Sequence, residues 1–117
     1  MDAGLLVVDG ANVVGSVPDG WWRDRKGAAM RLRDRLAGYA ENHPEAEVVL
    51  VVEGAARGVG SVPGVCVSDA PADGDSHIVA LVADAARPCV VVTADRELRA
   101  RVESLGATCT GPRTVYP

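Results

Sequence analysis

LLVVDGAN, residues 5–12, is an apolar run that stops abruptly on an aspartate and a glycine. Four consecutive Leu and Val residues without alternation describe a strand buried on both faces, the habit of parallel sheets. The same ending recurs twice: VVLVVE closes on Glu53 and VVVTAD on Asp95. Between these runs lie stretches with helical periodicity. From Arg23 to about Asn42 an apolar stripe falls at Ala28, Leu32, Leu36 and Tyr39, and His43-Pro44 stops it. From about Gly74 to Ala86 the stripe is Ile78, Leu81, Val82 and Ala85, ended by Pro88. From Asp95 to about Leu105 it is Leu98, Val102 and Leu105, with Gly106 as the stop.

The strands are Leu5–Val8, Val48–Val52, a weak Val65–Val67, Val90–Thr93 and a short Ala107–Cys109. Strands alternating with helices predict an α/β three-layer sandwich. Its central sheet of four to five strands is mainly parallel, with helices on both faces and right-handed crossovers. Gly10–Gly20 reads as a turn-rich loop, Gly54–Gly64 as a mobile surface loop, and the closing GPRTVYP as a loose tail. No repeat or second domain interrupts the pattern, so residues 1–117 form one domain.

The composition agrees. Of 117 residues, 48% are hydrophobic, but aromatics are 3% and Phe is absent, so Val, Leu and Ala must fill the core. The net charge of −4 argues against a general polyanion binder unless the acids are gathered in a cation-neutralised site. No apolar run is long enough to span a membrane and MDAGLL lacks a basic leader, which predicts a cytoplasmic protein. Cys66, Cys89 and Cys109 form no CxxC pair and read as small buried hydrophobes. Lys26 is the single lysine. No phosphate-cradling G-x-x-x-x-G-K-[ST] occurs, which excludes a P-loop hydrolase.

Function follows from where the acids fall. Parallel strands share one C-terminal edge, where open α/β sheets bind ligands. Asp9, Glu53 and Asp95 would meet there. A competing explanation is helix capping. It is strong for Asp95, which starts a helix, weaker for Asp9, followed by a loop, and weakest for Glu53, a poor cap. Helical projection adds Asp75, within roughly 20° of Val82 on the inward stripe of its helix. Asp73 reads as a cap or solvated loop residue. Asp2, Asp69 and Asp84 read as solvated charges, and His43 and His77 as surface residues. Arg25 falls on the inner stripe of its helix, in the opening turn. It either snorkels over apolar surface, or binds a substrate phosphate or pairs with one of the acids. Clustered carboxylates need protonation or a cation, and an all-oxygen set suits Mg²⁺ or Mn²⁺.

DGAN at 9–12, the acid Glu53, GDSHI at 74–78 and TADREL at 93–98 together resemble the NYN branch of the PIN-like metal-dependent nucleases. The resemblance spans almost the whole chain in order. It implies one or two Mg²⁺ or Mn²⁺ ions at the sheet edge and hydrolysis of RNA. It implies that Asp9, Asp75 and Asp95 bind metal, that Glu53 supports catalysis, that Asn12 orients the loop and that Thr93 hydrogen-bonds within the site. Ser76 stands where that family often has a second Asp, which lowers the acid count. Of Trp21 and Trp22, one is expected to pack under the loop; the other, assigned as Trp22, stacks on an unpaired base. The basic segment Arg23, Arg25, Lys26, Arg31 and Arg35 offers its N-terminal part as a phosphate track. RNA is the expected partner, and a homodimer is left open. The alternatives are a non-catalytic RNA-binding module and a metal-dependent nucleotide or phosphoester hydrolase.

Overall fold

In the computed structural model, which describes residues 4–116, five strands form one sheet in the order β3-β2-β1-β4-β5. They are β1 (Gly4–Asp9), β2 (Ala46–Val52), β3 (Val65–Asp69), β4 (Cys89–Val92) and β5 (Thr108–Thr110). Every pairing is parallel. The helices are α1 (Gly10–Gly15), α2 (Arg25–Asn42), α3 (Gly74–Ala85) and α4 (Arg96–Glu103). The expected three-layer α/β sandwich is what the chain adopts. Asp2 lies outside the described residues.

Strand alternation divides the core into two layers. Leu6 and Val8 of β1, Val48, Leu50 and Val52 of β2, and Val92 of β4 pack under α1 and α2 through Val13, Val14, Ala28, Leu32 and Leu36. Leu5, Val7, Val49, Val51 and Val91 pack on the other face under Ile78 and Val82 of α3 and Leu98 and Val102 of α4. The strands are apolar throughout because both faces are covered. Among the described residues, no helix is long and apolar enough to cross a membrane.

Five expectations need correction. Gly10–Gly15 is a short helix, not a loop, and Asp9 is its N-cap. Six residues are too few to display a helical period, and Gly-Ala-Asn reads locally as a turn. The Gly54–Gly64 segment is pinned, not free: it opens with a 3-10 turn and buries Val59. Arg33 donates to the Gly60 carbonyl at 3.0 Å and the Gly58 amide donates to Asp69 at 3.2 Å. The tail is anchored too, with Val115 buried and the Arg35 guanidinium 4.9 Å from the Tyr116 ring centroid. Leu105 is exposed because α4 ends at Glu103, before the stripe reaches it. Of the cysteines, Cys89 is buried and Cys109 half-buried, but Cys66 is exposed on edge strand β3.

Candidate active site at the sheet's switch point

The chain leaves β1 toward β2 on one side and returns through β4 and β5 on the other. The C-terminal ends of β1 and β4 therefore flank the crevice where connections diverge, the usual ligand position of such sheets. Register decides which side chains face each other there. Asp9 pairs with Val51, and Val8 with Val92. Asp9 continues the Leu5–Val7 series, Glu53 the Val49–Val51 series, and Thr93 follows Val91 by two. All three belong to the face covered by α3 and α4.

Asp9 is buried, only 5% exposed. The Thr93 hydroxyl donates to its Oδ2 at 2.9 Å and the Asn12 amide to its Oδ1 at 3.4 Å. Burial pushes the Asp9 carboxyl up to about 6; the nearby charges of Asp75 and Glu53 push the same way, and the two hydrogen bonds oppose. Thr93 is fully buried, and its oxygen also accepts the Asp95 amide at 3.1 Å. The Asn12 side-chain oxygen accepts the Ala94 amide at 2.8 Å, tying the β1–α1 junction to the β4–α4 junction. Thr93 thus bonds to the Asp9 carboxyl, and Asn12 ties together the loops that carry Asp9 and Asp95.

Asp75 sits half-buried in the first turn of α3, whose N-cap is Asp73. Burial raises its carboxyl first, with the charges of Asp95, Glu53 and Asp73 adding and Arg101 opposing. The exposed Asp73 carboxyl is held below its ordinary range by the Ser76 amide, which donates to it at 2.8 Å. The Glu53 carboxylate lies against the backbone of Gly74. A Cβ at that position would come 2.9 Å from Glu53 Oε1, so glycine opens the α3 N-terminus to the acid. Asp95 caps α4, its Oδ1 accepting the Glu97 and Leu98 amides at 2.9 and 3.1 Å. Its Oδ2 takes no hydrogen bond among the described residues.

The structure therefore gathers Asp9, Glu53, Asp75 and Asp95 from four segments at one rim. It does not close them into a cage: among the described residues no three His, Cys, Asp or Glu side chains converge as a ready ligand set. One reason is visible in the hydrogen bonds, which turn an oxygen of Asp95 onto its own helix and both oxygens of Asp9 onto Thr93 and Asn12. The donor chemistry nonetheless fits a hard divalent ion. The acids offer oxygen alone, and burial, with the neighbouring charges adding, raises the Asp9 and Asp75 carboxyls, which a cation would return to the ionised form.

Beside the rim, on the α1/α2 side, lies a cavity of about 300 Å³ bordered by Gly10, Ala11, Trp21, Arg25 and Glu53, among others. Trp21 is half-buried and packs on the core, whereas Trp22 is 53% exposed. Their rings meet edge-on at 5.9 Å. Arg25 is exposed, its guanidinium 5.1 Å from the Trp21 ring centroid, and Arg23 lies 5.9 Å from Trp22. Among the described residues the ion pairs are Arg33–Asp34 and Arg87–Glu47, so Arg23, Arg25 and Lys26 have none. Contrary to expectation, His77 is half-buried, bonded through Nε2 to Ser68 Oγ at 2.7 Å. His43 caps α2 and stacks on Tyr39 at 3.9 Å.

Two cationic residues escaped the sequence reading. Arg99 Nε donates to the Thr93 carbonyl at 2.8 Å, and Arg101 reaches the field of Asp73 and Asp75. Arg99 lies four residues after the capping Asp95, a spacing that returns a side chain to the start of a helix. Arg101 carries no comparable signal.

These features define a doubly wound, all-parallel α/β domain with an acidic rim at its switch point. No family model and no curated protein matches the chain. Among solved structures it is similar to Rae1 (YacP) from Bacillus subtilis. The TM-score is 0.75 at 23% identity over 97% of this chain and 70% of that one. A single-substitution mutant of the same protein gives 0.71 at 22% identity, covering 93% and 69%. At this identity the likeness is one of fold.

Proposed function

We propose that the chain is a Mg²⁺- or Mn²⁺-dependent ribonuclease of the PIN-like NYN type, hydrolysing RNA phosphodiester bonds at the switch-point rim. The observation that supports this best is the convergence of Asp9, Glu53, Asp75 and Asp95, with Asp9 buried and its carboxyl raised to about 6. Asp9, Asp75 and Asp95 would hold the ion, with Glu53 supporting. When bound, such an ion lowers the pKa of water and stabilises charge on the phosphoryl oxygens. Thr93 fixes the Asp9 carboxylate through its hydroxyl, and Asn12 holds the two loops that carry Asp9 and Asp95. Arg25 and Arg23, free of ion pairs among the described residues, bind backbone phosphates. Trp22, exposed beside them, stacks on an unpaired base.

The test is cleavage of an end-labelled single-stranded RNA in Mn²⁺, in Mg²⁺ and in EDTA. Cleavage requires the divalent ion, and Asp9→Asn reduces it beyond the roughly 10- to 100-fold typical of a supporting residue. Full activity of Asp9→Asn, or cleavage undiminished in EDTA, refutes the mechanism.

One observation favours a second reading, a non-catalytic RNA-binding module. The acids stand open among the described residues, and Ser76 adjoins Asp75 in place of a further carboxylate. Calorimetric titration separates the two: a module of that kind binds RNA equally with and without Mn²⁺ and leaves it intact.

A further inference from the structure

The cavity next to the rim has an origin in sequence. Three separate segments bring small residues to it: Gly10 and Ala11 of α1, Ala29 of α2, and Gly54 and Ala56 of the 3-10 turn after β2. Val14 and Val52 supply its aliphatic wall, and Trp21 its aromatic one. Polar character is concentrated in Arg25 and Glu53. The first two residues of the lining follow Asp9 directly, and Glu53 belongs to both cavity and rim, so the two spaces share a wall.

We propose that this cavity is a nucleobase pocket for RNA, taking the base of a nucleotide adjacent to the phosphodiester held at the rim. An aromatic ring in a mostly apolar slot of this size suits a flat heteroaromatic group. Arg25, exposed beside Trp21 and without an ion pair among the described residues, suits the phosphate that accompanies such a base. The pocket is distinct from Trp22, which lies outside it on open surface. The cleavage site would then be selected by a flipped or unpaired base that enters the slot, and bases kept within a duplex would be excluded. The inference rests on the ribonuclease reading, but its own test measures binding and not cleavage.

The probe is a short single-stranded oligoribonucleotide in which each position in turn is made abasic. Its binding is followed by fluorescence anisotropy in Ca²⁺, with the Asp9→Asn protein repeated as a cleavage-silent check. With the unaltered protein, removal of one particular base weakens binding by about 5- to 150-fold, the range expected for one stacked base. Ala56→Phe, which fills the slot from a half-buried wall position, weakens binding of the intact RNA similarly and flattens the positional profile. Ala56→Leu is a smaller filling that serves the same purpose if the Phe variant loses its cooperative melt. The pocket is refuted if no position of the RNA matters more than about threefold, or if a folded, filled variant keeps the original profile. Failure of the unaltered protein to bind any RNA refutes the broader reading as well, and is recognisable because every probe is then equally inert.

Discussion

Replacing Asp9 by Asn should make the protein more stable at neutral pH while it abolishes function. Asp9 is a buried carboxyl whose pKa lies at about 6 in place of 3.8. The folded chain therefore binds that proton more tightly than the unfolded chain does. Below 3.8 both states are protonated and the site costs nothing. Between 3.8 and 6 stability falls as pH rises, and above 6 the whole penalty is present, about 3 kcal/mol. Asn removes the charge with little change of shape. It retains an oxygen for the Thr93 hydroxyl but turns an amide toward the Asn12 N–H, a mismatch worth about 1 kcal/mol. The net gain at pH 7.5 is then about 2 kcal/mol, or about 8 °C in Tm for a domain of this size. At pH 4.5 the wild-type penalty has shrunk to about 1 kcal/mol and the two terms cancel. Thermal melts followed by circular dichroism in EDTA at both pH values measure the difference. A variant that is less stable than wild type at pH 7.5, or an offset that does not change with pH, refutes the electrostatic account of the rim.

The same argument gives a metal prediction: millimolar Mn²⁺ raises the Tm of the wild type and has a markedly smaller effect on Asp9→Asn, because an ion that binds the folded state stabilises it by mass action. Gly10→Ala places a Cβ 2.5 Å from the Val51 carbonyl oxygen and 3.2 Å from a Leu50 methyl. Neither the sheet backbone nor the buried Leu50 gives way, so the variant loses about 1–3 kcal/mol in urea unfolding. Trp22→Ala changes stability by less than about 0.5 kcal/mol, since Trp22 is more than half exposed. It weakens RNA binding roughly fivefold or more in a filter-binding assay.

The parallel sheet was legible because its strands are covered on both faces and leave unbroken apolar runs. The rim was legible for the same reason: a charged residue at the end of such a run marks the strand's C-terminal edge. The expectation for Glu53 rests on Glu being a poor cap; in the structure its side chain makes no capping hydrogen bond and lies against Gly74. Features made by few residues were not legible. Helix α1 is six residues long, the pinned loop is held by Val59 and two backbone acceptors or donors, and the tail is held by Val115 and Tyr116. None of these repeats often enough to produce a period. The field of Arg101 at α3 depends on how α4 packs beside α3, which local sequence does not encode.

Capping and ligand binding looked like rival explanations for these acids, and the structure shows why they need not be. In a parallel α/β fold each strand end runs toward the N-terminus of a helix, so a carboxylate placed there can cap the helix and face the rim together. Asp95 divides its two oxygens in this way, giving Oδ1 to the Glu97 and Leu98 amides and keeping Oδ2 unbonded among the described residues. Asp73 and Asp75 sit at the start of α3, where the helix dipole favours negative charge. That contribution lets several acids share one edge before any cation arrives. Asp9 is the most buried of the four and caps only the six-residue α1, and burial pushes its carboxyl up to about 6. A divalent ion at the rim would therefore act strongly through Asp9, whose two hydrogen bonds do not offset the cost of its burial.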